Sequence, residues 1–337
     1  IQAPIGFRMP REPDQRALLI GFFREMTRPP TQGPVRGRTV ASTSLIFFQR
    51  QYWVQTGRLL PVVKNQNWYA ARALGVQAVA DRRDAEEVLF WQNHVSLKPD
   101  CAMVMWRFIK QTVQDDFPYR LVFKNVRGLP TRSGNRRVYA LQEHESTMLT
   151  YADIRRRFRA AVIFPHDVGM ISFDDLYAIG VPLFMPENEL VAAMALAQLK
   201  STKNYPWYLL REEHAALRYV RADSYGTLPW DPGWGGREAL SNETSAAAYL
   251  GHDLLEATKL THAVTTANFV LFPHIRRFRS LADLLVAIAG VGTADLTATA
   301  EAMRQFAADA WKVTAEFHRR AAAYLLDAGP AAVSDAR

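Results

Sequence analysis

Short apolar runs, four to six residues long and bounded by polar, Pro or Gly punctuation, recur along the chain. They predict buried parallel strands at Leu59 to Val63, Val76 to Ala80, Leu121 to Phe123, Ala161 to Phe164 and Val181 to Met185. Between and after them the apolar spacing becomes helical. Ala102 to Val113 is amphipathic, Tyr151 to Phe158 is short and basic, and Glu187 to Leu199 is rich in helix-forming Ala and Leu. Further on, Leu281 to Ala289 and Thr297 to Leu326 read as helices. Ser280 is expected to cap the first, and Thr297 with Glu301 to open the second.

Strands that alternate with helices need crossover connections, so the expected class is α/β with a Rossmann-type parallel sheet. In such sheets ligands sit beyond the carboxyl ends of the strands. That rule singles out two loops, the basic stretch after Phe123 (KNVRGLPTRSGNRR) and the acidic stretch after Phe164 (PHDVGMISFDD). Lys124 and Arg127 in the first are expected near His166 and Asp167 in the second. Between Tyr205 and Glu238 the chain is dense in Trp, Tyr, Pro and Gly, which is loop chemistry with aromatic anchors.

Composition narrows the classes. A chain of 337 residues that is 49% hydrophobic buries a large core and is long enough for two domains. One cysteine, Cys101, excludes an intramolecular disulfide framework and a cysteine-based zinc site. The net charge of +8 comes chiefly from clustered arginines, at Arg127 to Arg137, Arg155 to Arg159 and Arg276 to Arg279, and favours anionic partners such as phosphates. Most of these arginines are expected on solvated surfaces. The sequence carries no P-loop, G-x-G-x-x-G, G-x-S-x-G or H-E-x-x-H pattern, so neither a metal nor a bound cofactor is expected. No apolar run is long enough to span a bilayer.

The carboxylates of the acidic loop follow a pattern: Asp167, seven residues, Asp175 at an expected helix start, then Gly180, a β-branched residue, Pro and an apolar strand. An ionised carboxylate accepts two hydrogen bonds from a vicinal diol, and a helix N-terminus near Ser172 offers N–H groups to a diphosphate. Gly169 lets the loop backbone approach a ligand closely.

This pattern resembles the paired-acid donor site of retaining glycosyltransferases with the GT-B fold, with Asp standing where Glu is usual. The stretches RAAVIFPHDVGMISFDDLYAIGVPLFMP, FPHIRRFRSLADLLVAIAGV and AMRQFAADAWKV together resemble the donor-binding half of glycosyltransferase-like proteins of eukaryotic, algal and plant type, over residues 115 to 327. The resemblance implies a nucleoside diphosphate sugar donor, a glycan, protein or small-molecule acceptor, and metal-independent transfer with retention. By it, Asp175 would hold the ribose, His166 or Asp167 would orient the sugar, and Lys124, Arg127, Gly169 and Ser172 would receive the diphosphate.

The implied organisation is a partial or reduced N-terminal α/β domain at 1–114, a donor domain at 115–272, C-terminal helices at 273–327 and a tail at 328–337. Removal of an N-terminal anchor would set the protein in the secretory pathway, in the Golgi lumen. Two other readings compete: a catalytically silent glycosyltransferase-like subunit, which the double Asp substitution favours, and a basic nucleic-acid-binding protein. The last lacks any recognisable binding motif, so no nucleic acid is expected.

Overall fold

A computed structural model describes residues 42, 58–59, 62–63, 85–91, 99–124, 136–141, 145, 149–165, 170–201, 224–225, 264–265 and 267–326. The chain divides into two compact units. One comprises Ile1–Asn65, Pro206–His262 and Ala310–Arg337. Its described part contains a parallel pairing of Arg58–Leu59 with Ser224–Tyr225 and a buried Val63. The expected strand over Val76 to Ala80 lies outside the described residues.

The other unit, Gln66–Tyr205 with Ala263–Asp309, holds the main sheet. Its strands are β1 (Glu87–Trp91), β2 (Arg120–Lys124), β3 (Val138–Ala140), β4 (Phe158–Ile163), β5 (Leu183–Pro186) and β6 (Arg276–Phe278). Every pairing is parallel and the order is 3-2-1-4-5-6. This is the order of doubly wound dinucleotide-binding sheets, whose direction of winding reverses between β1 and β4. The helices are α1 (Pro99–Thr112), α2 (Tyr151–Arg157), α3 (Ile171–Ala178), α4 (Asn188–Ser201), α5 (Asn268–Leu271), α6 (Leu281–Gly290) and α7 (Thr293–Leu326). The central strand β1 precedes residue 115, so the sheet begins upstream of the expected donor-domain boundary.

Alternation along the strands builds the core. Val88, Phe90, Leu121, Phe123, Ala160, Val162, Phe184 and Phe278 turn to the face covered by Trp106 and Ile109 of α1 and Leu284 and Ile288 of α6. Phe90 stacks on Phe123 at 4.4 Å, and Trp106 meets Phe123 edge-on at 4.8 Å. Full burial of one such side chain stabilises by about 1.5–3 kcal/mol. A second aromatic cluster ties α3, the segment before β6 and α7 together, with Tyr177 4.8 Å from Phe272 and Phe272 5.1 Å from Phe306.

Two expectations about helix ends change. Helix α7 opens at Thr293, one turn before Thr297, whose hydroxyl donates to the Thr293 carbonyl at 3.0 Å instead of capping. Helix α2 stops at Arg157 and β4 starts at Phe158, so the run Arg155 to Arg159 is divided between helix and strand. Ser280 caps α6 as its sequence predicts, accepting from the Asp283 amide at 3.1 Å.

That division explains why Arg159 is not on a solvated surface, whereas Arg157 stays exposed. Arg157 ion-pairs with Glu87, which also takes Arg120 at 3.1 Å and the Tyr139 hydroxyl at 2.7 Å. Glu87 thereby joins β1, β2, β3 and the end of α2. Arg159 is the extra residue of a β4 bulge, since Glu87 pairs with Phe158 and Val88 with Ala160. It is buried, with its guanidinium 3.7 Å from the Tyr119 ring and an N–H donated to the Val291 carbonyl at 3.0 Å. Burial lowers its pKa.

Candidate functional site

The carboxyl edge of the sheet is set by register. Trp91, the last residue of β1, is paired with Lys124 of β2 on one side and Ile163 of β4 on the other. Register partners in a parallel sheet project to the same face, so the Lys124 side chain rises beside the Trp91 indole. Its Nζ lies 3.6 Å from the ring centroid. Both residues are half-buried. Burial pushes the Lys124 amine down to about 8, and no carboxylate contributes to that shift. The cation–π contact opposes it by about 0.5–2 kcal/mol, which is less than the desolvation it accompanies.

Helix α3 carries the second group of candidates. It opens at Ile171 with Met170 as an N-cap that makes no side-chain bond. Asp175 therefore sits in the second turn and does not open the helix; Asp174 is the acid of the first turn. Ser172 is half-buried, and its enclosed Oγ has no hydrogen-bond partner among the described residues. Asp175 is buried, and its Oδ2 accepts the hydroxyl of Tyr151 at the start of α2. The Asp174 carboxylate accepts the Asn268 side-chain amide of α5 at 3.1 Å. Burial pushes Asp174 well above the usual carboxylate range, Asp175 adds to that, and the Asn268 bond opposes it.

The helix ends in a left-handed turn that explains one sequence signal. Gly180 has φ +72°, its N–H reaches the Tyr177 carbonyl at 3.0 Å, and Val181 N–H reaches the Leu176 carbonyl at 3.1 Å. This pair of bonds is the Schellman closure, for which glycine is the favoured residue. It delivers the chain through Pro182 into β5.

Of the residues proposed from sequence, Lys124, Ser172 and Asp175 are described: Lys124 ends β2, and Ser172 and Asp175 lie together on α3. Arg127, His166, Asp167 and Gly169 lie outside the described residues. Trp91, Tyr151 and Asn268 were not anticipated. Trp91 ends a run, EVLFW, whose three central apolar residues are the buried ones. Tyr151 and Asn268 meet their aspartates across separations of 24 and 94 residues, which no local pattern reveals. Among the described residues no cluster of three or more His, Cys, Asp or Glu stands ready for a metal, and no single helix is long and apolar enough to cross a membrane.

Sheet order and edge together define a Rossmann-like α/β protein. In comparison with known proteins, the chain matches no family model, no curated protein and no solved structure.

Proposed function

We propose that the chain binds a nucleoside diphosphate sugar at the carboxyl edge of its parallel sheet and acts as a glycosyltransferase. The observation that carries the binding part is Lys124, a half-buried cation at the end of β2, next to the point where the sheet reverses its winding. Transfer of the sugar rests on the sequence resemblance.

A diphosphate leaving group develops negative charge as the glycosidic bond breaks, and a positioned cation in a partly desolvated site stabilises it. With its pKa near 8, Lys124 is about nine-tenths protonated at pH 7, so it still supplies that charge. Arg127, three residues further on, is assigned the same task. Asp175 would accept a ribose hydroxyl through a lone pair not taken by Tyr151, since an ionised carboxylate has about four acceptor positions. His166 or Asp167 would orient the sugar, with Gly169 and Ser172 lining the approach of the phosphates.

One observation favours the second reading, a catalytically silent subunit of this kind. Asp175 is buried and already engaged by Tyr151, an arrangement that closes a ribose site as readily as it orders one. Thermal unfolding with UDP, GDP, ADP and CDP separates the two. A ligand that binds only the folded state at a hundredfold excess over its dissociation constant adds about 2.7 kcal/mol of stability. A base-selective rise that Asp175→Asn abolishes supports donor binding; the absence of any rise at millimolar nucleotide favours the silent subunit.

A further inference from the structure

We propose that the outer faces of α1 and α6 form a self-complementary surface on which a second copy of this chain docks across a two-fold axis. This goes beyond the nucleotide reading and does not depend on it, because it concerns the helical layer over the sheet and not the sheet's carboxyl edge.

Helix α6 is apolar nearly all round. Its sequence, LADLLVAIAG, carries one ionisable side chain, Asp283, in the first turn. Leu284, Leu285 and Ile288 face the core, while Ala282, Val286 and Ala289 are exposed on the opposite side. Val286 is 72% exposed, and a Cβ added at the exposed Gly290 would meet nothing within 4 Å. A helix at a solvated surface turns charged and polar residues outward, whereas one that is apolar on every side is a buried helix. Among the described residues nothing covers this face of α6.

Helix α1 supplies the matching face. Val104, Arg107, Phe108 and Gln111, spaced i, i+3, i+4 and i+7, project together away from the buried Trp106 and Ile109. Val104 is 66% exposed and Phe108 38%. The two helices lie on the same face of the sheet and share one core. They also meet one arginine at the same edge: the Arg159 guanidinium joins the Tyr119 ring, in the turn after α1, to the Val291 carbonyl that ends α6. Helix α1 returns from β1 to β2 and α6 folds back from β6, so both run in one direction with their carboxyl ends towards Arg159.

A two-fold axis running along these helices lays α1 of each protomer on α6 of the other, an isologous contact. Counted back from the helix ends at 1.5 Å per residue, Phe108 and Val286 both stand about 6 Å up, and Val104 and Ala282 both about 12 Å. Phe108 therefore meets Val286, and Val104 meets Ala282. Arg107 and Asp283 fall within about 3 Å of each other in height, so the one charge on each stripe finds its opposite. Arg107 has no ion pair among the described residues, and Asp283 gives one oxygen to the Arg279 N–H at 2.8 Å. Opposite charges at matching heights favour a second copy over a lipid surface, which would leave both charges against an apolar medium.

Sedimentation velocity of the full chain across the micromolar range, without nucleotide, tests this. Wild type should pass from monomer to dimer as concentration rises. Val286→Glu, at a side chain turned away from the core, should weaken association roughly a hundredfold with little change in melting temperature, because each substitution acts twice across the axis. Arg107→Glu should weaken it by a similar factor through like-charge contact, and adding Asp283→Asn, which keeps an acceptor for the Arg279 N–H, should recover about tenfold. A wild type that stays monomeric throughout overturns the proposal, and flotation of that monomer with phosphatidylcholine vesicles would assign the surface to lipid instead. A dimer that Val286→Glu and Arg107→Glu both leave intact overturns it equally, by setting the interface elsewhere on the chain.

Discussion

Lys124 Nζ lies over the ring of Trp91, its register partner on the neighbouring strand, at 3.6 Å from the centroid. The pairing follows from topology: β1 and β2 are parallel and in register to their last residues, so their carboxyl ends place one cation and one indole on the same face. The same sheet order places the reversal of winding beside them.

Burial of Lys124 should be visible in the pH dependence of stability. Its folded pKa is near 8 against 10.5 when unfolded, so between those values the unfolded chain binds more protons and stability rises with pH. The effect is on the order of 2 kcal/mol after allowance for partial exposure. Urea unfolding at pH 7.5 and pH 9.5 should show wild type gaining on Lys124→Met by that amount. Parallel behaviour of the two proteins would show that the amine is not desolvated.

The Asp174 carboxyl gives the opposite slope. Its folded pKa is raised, chiefly by burial, so the folded state holds a proton that the unfolded state has released, and stability falls as pH rises through the folded pKa. Asp174→Asn removes the ionisation and keeps an acceptor for the Asn268 amide. The variant should therefore be more stable than wild type at neutral pH and no more stable at pH 4. Calorimetric melting at the two pH values reads this directly, and a variant destabilised at pH 7 would contradict it.

Glu87 carries the amino side of the sheet. Its carboxylate serves Tyr139, Arg120 and Arg157 while its own side chain is 12% exposed. Glu87→Ala removes the anion shared by two partly exposed arginines and the acceptor of the Tyr139 hydroxyl, and should cost about 1–2 kcal/mol. Glu87→Gln keeps the hydroxyl bond and should cost less. Chemical denaturation of both variants provides the comparison, and equal losses would contradict a contribution from the Tyr139 bond and assign the whole effect to the charge.

Gly180 allows a sharp steric test. A Cβ there would meet Arg304 Cγ at 2.7 Å and the Ala300 carbonyl at 2.9 Å, in addition to the left-handed backbone. Gly180→Ala should lose about 2 kcal/mol or more of stability. An unchanged unfolding midpoint would mean that the α3–β5 turn closes differently from the bonds described.

Much of the sheet was legible because its interior strands are buried on both faces. LVF, AAVI and LFM are continuous apolar runs, and β2, β4 and β5 lie where those runs lie. Helices α1, α4 and α6 also follow their apolar spacing. Strand β3 has three residues and β6 has two arginines among its three, so neither presents an apolar run. Strand β1 is hidden differently: its buried triplet is framed by Glu87 and Trp91, which are polar or aromatic at the sheet's two edges. At the site, a lysine directly after an apolar run pointed correctly to a strand end. Its partner did not, because the meeting of Trp91 and Lys124 is a product of register.

The most direct measurement is calorimetric titration of the full chain with the nucleoside diphosphate that stabilises it most, for wild type and Lys124→Met at pH 7. Loss of a charge-assisted contact worth about 1.5–3 kcal/mol should weaken binding by roughly ten- to a hundredfold. Equal affinities, or no binding to wild type at millimolar nucleotide, would contradict a nucleotide site built on Lys124.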